Sequence, residues 1–329
     1  MEYREKARNR KFVMQAHLSA EASKDPRVYA FLVNPRAGNG KALRVWRRIE
    51  PMLKAQQVHY LVEFSESAAH ASAWAREIVE LRRDTPTVLA VVGGDGTLQS
   101  VAGVLAGQHR VALGAIPAGS GNDFARAIGM PSQPEEALRA LLEGQEMRMD
   151  LIRVGGRCCL TVVGVGLDGA VAQAVNGTRA KKWLNAVRLG GLVYVLALFR
   201  ALLRYRKTGV TLAVDGREHA FSDVWLTAAG NLPFYGGGMR ICPAASGTDG
   251  QLEICVVHGI SRMKFVRLFA KVYPGEHVRY PFVSLLRGRE VEIRAERALP
   301  AHGDGEVIGS TPLRLTTLPG AVTVIGRRS

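Results

Sequence analysis

Asp95 stands inside Gly93-Gly94-Asp95-Gly96-Thr97, directly after the apolar run LAVV. Glycines let backbone N–H groups approach an anion closely, and a helix N-terminus that follows adds its dipole. A carboxylate in such a loop would repel phosphate unless a cation intervened, so the pattern points to a metal-bound nucleotide. The plainer alternative is a strand-to-helix turn in which Asp95 is only a cap. Near the other end of the chain, Asp304 and Glu306 flank Gly305 in the sequence GDGE. Such a pair could serve general acid–base chemistry, for example by accepting the proton of a reacting hydroxyl. By spacing alone, two carboxylates about a glycine are equally a structural turn. Asp249 in SGTDGQLEI is also, by itself, consistent with a type I turn before a strand.

The elements that must carry these residues follow from hydrophobic periodicity. Short β-rich runs at 27–33, 58–64, 87–92 and 111–116 end in NPRAGNGK, SES, GGDGT and PAGSGND, and helical spacing fills the intervals. Pro51 is expected to interrupt the first helix. This βαβα alternation predicts a doubly wound parallel sheet, in which all strand carboxyl ends share one edge and ligands bind there. One polar turn at that edge is ordinary, whereas four suggest a site. From about Asp150 the pattern becomes MDLIRV, CCLTVV, VTLAVDG, VWLTAAG, LEICVV, EVEIRA, LRLTTL and VTVIG. These runs predict a mainly antiparallel β-sandwich, with a helical insertion near 180–205. The expected organisation is a poorly ordered basic tail over 1–27, a nucleotide-binding α/β domain over 28–149, a β-rich domain over 150–310, and strands in 311–329 returning to the first domain.

Composition narrows the partners. Lys and Arg outnumber Asp and Glu by 44 to 29, a formal charge of +15, which attracts anionic lipid, nucleic acid or phosphorylated ligands. No nucleic-acid-binding motif accompanies the charge, so no nucleic-acid partner is expected. Gly169 to Val214 instead combines eight Lys/Arg and no acid with Trp183, Tyr194, Phe199 and many aliphatic residues. Basic and apolar together suggest an anionic membrane surface, and a buried helix with a solvated basic face is the alternative. The most apolar run, Leu189 to Phe199, has 11 residues and is too short to span a bilayer. The N-terminal apolar stretch is broken by Gln15 and His17, unlike a signal peptide. Cys158, Cys159, Cys242 and Cys255 form no CxxC pair, which suits buried thiols in a reduced cytoplasmic protein. Two apparent motifs fail. NPRAGNGKA has Pro35 and Ala42 where a Walker loop needs Gly and Ser/Thr, and GVGLDG has no acidic residue at the ribose position downstream.

Strand–NPRAG, strand–GGDGT and strand–PAGSGNDFA in this order and spacing resemble the diacylglycerol kinase catalytic family. The likeness continues through GVGLDGAV, GNLPFYGGGMRICPAASGTDGQLEI and HGDGEVIG, from about residue 28 to the end. It implies an N-terminal domain like those of NAD kinases and phosphofructokinases, and a peripheral lipid kinase using ATP and Mg²⁺. Diacylglycerol is the default acceptor; a sphingoid base, another lipid alcohol, a soluble acceptor, or a catalytically degenerate nucleotide-binding module are the alternatives. By resemblance ATP is contacted by Asn34, Pro35, Arg36, Ala37 and Gly38, by Ser65, by Gly93, Gly94, Asp95, Gly96, Thr97, Leu98 and Gln99, and by Gly119, Ser120, Asn122 and Asp123. Asp95 would organise Mg-ATP, Glu306 would be the general base, and Asp304 its charge partner or a metal contact. Asp249 with the carbonyls of Ser246 and Gln251 would hold a structural Mg²⁺. Gly236 to Gly238 and Arg240 would shape the cleft between domains, and a homodimer is compatible with the family. Many relatives carry Asn-Glu after GGDGTL where this chain has Gln99-Ser100, so a carboxylate is missing beside the nucleotide.

Overall fold

A computed structural model describes residues 27–82, 84–176 and 200–327. Apart from Arg27, the tail expected over 1–27 lies outside them, as do Leu189–Phe199 and most of the insertion near 180–205. The first strands are β1 (Val28–Val33), β2 (Tyr60–Phe64), β3 (Thr87–Gly93) and β4 (Val111–Pro117), parallel in the order β2-β1-β3-β4. The side chains of β3 and β4 are buried along both faces, as an unbroken apolar run requires in a covered parallel sheet. Helices α1 (Lys41–Ala55) and α5 (Pro134–Glu143) pack together, as do α2 (Ala68–Leu81) and α3 (Asp95–Leu105). The short α4 (Asp123–Ala127) lies between β4 and α5 in the chain.

Pro51 does not break α1. It sits on the solvent face, as does Arg47, the residue whose carbonyl Pro51 leaves without an N–H partner. Trp46, Ile49 and Leu53 are buried on the other face and hold the helix through the proline.

The second half is antiparallel, built from β5 (Gln145–Val154), β6 (Arg157–Cys159), β7 (Val162–Gly166), β8 (Thr208–Val214) and β9 (Arg217–Gly230). It continues with β10 (Leu252–His258), β11 (Val283–Gly288), β12 (Glu290–Ala295), β13 (Pro300–Gly303), β14 (Glu306–Ser310) and β15 (Leu313–Gly326). Its spine runs β14-β13-β7-β9-β8-β12-β15, and β9 also pairs with β10, which pairs with β11. In β8 buried and half-buried residues alternate, the mark of a sheet with one covered face. Helices α6 (Leu167–Asn176) and α7 (Arg262–Val272) attend these strands, and α7 was not anticipated from the sequence.

Two expected runs are divided differently. CCLTVV is two strands, parted at Leu160-Thr161, while LRLTTL and VTVIG belong to the single strand β15, which shifts register between Leu318 and Val322. The early part of β15 pairs with Leu151–Val154, its end pairs with Gln145–Met149, and Val324 pairs parallel to Leu113 of β4. The chain end thus lies beside the first sheet. Two hydrophobic cores result, with Val322, Val324 and Ile325 in the first and Leu315 in the second.

Candidate active site

The carboxyl ends of β1, β3 and β4 meet at one edge. Asn34 N–H donates to Val92 O (3.0 Å), Ser65 N–H to Val33 O (2.9 Å), and Ala118 N–H to Gly93 O (2.8 Å), so the ladder continues into the loops. Asn34 Nδ2 donates to Thr97 Oγ1 (2.8 Å) and its Oδ1 accepts from Arg36 N–H (3.1 Å), tying the Asn34–Gly38 turn to the GGDGT loop. Asn122 closes the next loop on itself, accepting from Gly119 N–H (2.8 Å) and donating to Gly119 O (3.0 Å). The loops touch backbone to backbone: a Cβ on Gly119 would lie 2.5 Å from the Gly94 Cα, and one on Gly38 would collide with Ala118 O. Only glycine permits that approach. Ser120 and Gly96 are exposed at this edge, whereas Ser65 is buried.

Asp95 opens α3, and its Oδ1 accepts from Phe124 N–H (3.0 Å) at the start of α4. Leu98, within the stretch expected to meet ATP, is buried in the first core. Helical spacing turns it inward while Gly96, Gln99 and Ser100 face a cleft of about 1040 Å³. Asp123 is likewise buried, and its carboxylate is taken up by neighbours. Its Oδ2 accepts from Gly237 N–H (2.8 Å) in the second domain, and its Oδ1 pairs with Arg126 (2.7 Å). Burial raises its pKa, the nearby Asp95 adds to this, and the Gly237 bond and Arg126 oppose it. The Arg126 guanidinium lies over the Phe234 ring at 5.7 Å, and Arg240 lies over the same ring at 5.9 Å. Residues 234–240 therefore form the seam between domains, with no reacting group supplied by Arg240.

The opposite wall comes from the GDGE sequence. Gly303 and Glu306 pair across β13 and β14, leaving Asp304-Gly305 as a two-residue turn with φ of 50° and 85°. Asp-Gly tolerates two left-handed residues, the geometry that matches strand twist. Glu306 emerges exposed from this turn and lines the same cleft as Gly96 and Gln99. Asp304 does not join it. Its carboxylate accepts from Leu160 N–H (2.7 Å), Thr161 N–H (2.9 Å), Thr161 Oγ1 (2.5 Å) and Val162 N–H (3.2 Å). Those donors are the strand break between β6 and β7, so Asp304 is a positioning residue and not a charge partner or metal contact. Burial pushes its carboxyl pKa up while the four hydrogen bonds pull it back.

Gln99 has a post of its own. Its Nε2 donates to Gly303 O (3.4 Å), linking α3 to the strand before the Glu306 turn. The cleft also exposes Arg76 of α2 and Arg157 at the start of β6, cations that periodicity offered no reason to single out.

The Asp249 loop does not fit a metal. Asp249 Oδ1 accepts from Gln251 N–H (3.0 Å), its Oδ2 is paired with Arg287 (2.7 Å), and Ser246 O accepts from Asp249 N–H (3.4 Å). The Arg287 guanidinium already supplies the positive charge beside Asp249. Asp95, with one carboxylate oxygen committed to Phe124 and the site edge open beside it, fits a cation brought by a nucleotide.

A second, narrow cavity lies in the β-rich domain between α6 and α7, lined by Leu167, Val171, Leu226, Phe265, Leu268 and Phe269, with Asp168 and Tyr235 in its wall. No helix among the described residues is long and apolar enough to cross a membrane.

Comparison with known proteins matches residues 28–154 to the family described as diacylglycerol kinase catalytic domain. Residues 161–326 match the family described as YegS C-terminal NAD kinase beta sandwich-like domain. A diacylglycerol kinase of Mycobacterium tuberculosis is 32% identical over 305 residues, covering 90% of this chain and 94% of its own length. A diacylglycerol kinase of Bacillus subtilis is 26% identical over 255 residues, 75% of this chain and 81% of its own. In fold, a crystal structure of a diacylglycerol kinase from Bacillus anthracis superposes with a TM-score of 0.70 at 22% identity, covering 93% of this chain and 98% of that one.

Proposed function

Because the chain belongs to the family of lipid kinases built on the diacylglycerol kinase catalytic domain, we propose that it transfers the γ-phosphoryl group of ATP to a lipid hydroxyl, with diacylglycerol as acceptor and phosphatidic acid as product. One observation carries the reading. The Asp304-Gly305 turn delivers Glu306 to the wall of the cleft that Gly96 and Gln99 line from the other domain. The acceptor oxygen attacks the γ-phosphorus, the bond to the bridging β-phosphate oxygen breaks, ADP leaves, and the hydroxyl proton passes to the Glu306 carboxylate. Backbone N–H groups of the loops after β1, β3 and β4 hold the phosphates, with the α3 N-terminus adding its dipole. Mg²⁺ entering with the nucleotide beside Asp95 would neutralise charge on the β- and γ-phosphates.

One surface feature favours a lipid over a soluble acceptor. Leu203 and Met263 are 72% and 67% exposed on neighbouring segments that Arg262 joins through Leu202 O (3.2 Å) and Tyr205 O (3.0 Å). Arg204 and Lys264 beside them are also exposed. Apolar tips among cations suit the surface of an anionic bilayer, where each cation contributes about 1 kcal/mol.

The test incubates purified protein with γ-labelled ATP, Mg²⁺ and diacylglycerol in anionic mixed micelles and follows label into the organic phase. Glu306→Gln is expected to lower transfer by about 10²–10⁴-fold with ATP affinity unchanged. Undiminished transfer in that variant would remove Glu306 as the base. Label in the organic phase only when a total lipid extract replaces diacylglycerol would change the acceptor.

A further inference from the structure

His302, just ahead of the Asp304-Gly305 turn, is 4% exposed and chemically unaccounted for. It pairs across the sheet with Gly164. Its Nδ1 lies 3.3 Å from Gly305 N, which donates to it. Its Nε2 lies 3.5 Å from Asp168 Oδ2, and both side chains are about 5% exposed. The Tyr235 ring stacks on the imidazole, 6.1 Å between centroids with 1° between planes. Asp168 Oδ1 accepts from Gly169 N–H (2.9 Å), while the buried Oδ2 has no hydrogen-bond partner. An Nδ1 that accepts carries no proton, so a neutral ring holds its proton on Nε2, facing that carboxylate oxygen. The glycine of GVGLDG makes this possible: a Cβ on Gly164 would collide with both Asp168 Oδ2 and His302 Nε2.

We propose that His302, held by Asp168 in the Nε2–H tautomer, is a positioning residue that fixes the Gly305 backbone and thereby the aim of Glu306 into the cleft. The proposal rests on the phosphoryl-transfer reading of Glu306. A buried carboxylate with one unused oxygen beside an imidazole is expensive unless it orients that ring, and the ring's other nitrogen is spent on the turn. Asp168 and Tyr235 also form the wall of the small apolar cavity between α6 and α7, so His302 stands between that cavity and the Asp304-Gly305 turn. Tyr235 belongs to the segment that Gly237 ties to Asp123, so the same contacts reach the nucleotide loops.

His302→Leu, His302→Asn and Asp168→Asn test this, with wild-type melting temperature as the check on folding. An asparagine Oδ1 can replace Nδ1 as acceptor for Gly305 N–H; leucine cannot. His302→Leu is expected to lower kcat about 10–100-fold with KM for ATP held within about twofold, and His302→Asn to recover most of the loss. Amide exchange is read in parallel and needs no lipid. Protection of Gly305 N–H should fall at least about tenfold in His302→Leu and persist in His302→Asn. Long-range ¹H–¹⁵N spectra of the imidazole should report Nε2–H in the wild type and a tautomer mixture in Asp168→Asn. Equal kcat in folded His302→Leu, equal loss in the asparagine variant, or unchanged Gly305 protection would each overturn the proposal. If the wild type phosphorylates no acceptor, the functional reading fails, and exchange and tautomer still decide whether His302 holds the turn.

Discussion

Replacing Asp304 separates two roles that the GDGE sequence leaves open. Its carboxylate gathers three backbone N–H groups and one hydroxyl at the gap between β6 and β7. Alanine orphans the three N–H groups, which belong to the buried residues Leu160, Thr161 and Val162, at a cost of at least about 1 kcal/mol each. It also places a Cβ-bearing residue without a local hydrogen bond at φ 50°, which costs about 1 kcal/mol more. The sum is about 4 kcal/mol, or a fall in Tm of roughly 8–15 °C. Asparagine tolerates the left-handed backbone, and its Oδ1 can serve the donors that now share Asp304 Oδ1. Its Nδ2 would then face Leu160 N–H, a donor against a donor. A loss of about 2 kcal/mol is expected, half that of alanine. Thermal melting followed by near-UV circular dichroism, with ATP affinity measured alongside, reads both variants. If Asp304→Ala abolished phosphoryl transfer with Tm lowered by less than about 2 °C, the carboxylate would be meeting substrate or metal and the positioning argument would be wrong.

Other substitutions probe the remaining joints. Gly119→Ala puts its methyl 2.5 Å from the Gly94 Cα, where neither backbone can yield. ATP affinity by calorimetry is expected to drop at least tenfold, roughly 1.4 kcal/mol or more; wild-type binding would show that the two loops do not meet. Chelation with EDTA in the absence of nucleotide should leave Tm within about 2 °C, because Arg287 already neutralises Asp249. A larger fall would reveal a resident metal. Leu203→Asp with Met263→Asp should weaken sedimentation with phosphatidylserine vesicles about tenfold while activity toward a dispersed short-chain diacylglycerol stays near wild type. Unchanged vesicle binding would move the docking face elsewhere.

Much of this protein was legible in its amino-acid order because the relevant signals are local. Short apolar runs punctuated by glycine announce buried parallel strands with loops at one edge, and β3 with Gly93–Thr97 is what that pattern specified. The alternation in VTLAV and EVEIRA likewise marked strands with one covered face. Side-chain direction depends on partners distant in the chain, and there sequence reasoning stopped. Leu98 and Gln99 are neighbours in one helix, yet the first enters the core and the second reaches Gly303, more than two hundred residues away. Asp304 and Glu306 are chemically similar and two positions apart. A tight turn in strand geometry sends one inward to the Leu160–Val162 gap and leaves the other at the cleft. Asp249 met an arginine 38 residues on, so a loop that resembles a metal site is closed by an ion pair. Asp168 and His302 carried no recognisable spacing. Only the antiparallel pairing of β7 with β13 brings them together, over a glycine whose missing side chain leaves the space. Hydrophobic period and glycine placement, set by nearest neighbours, determined which elements form and where a phosphate could approach. Which carboxylate faces the cleft was decided by long-range strand pairing, because pairing alone fixes the face on which each side chain emerges.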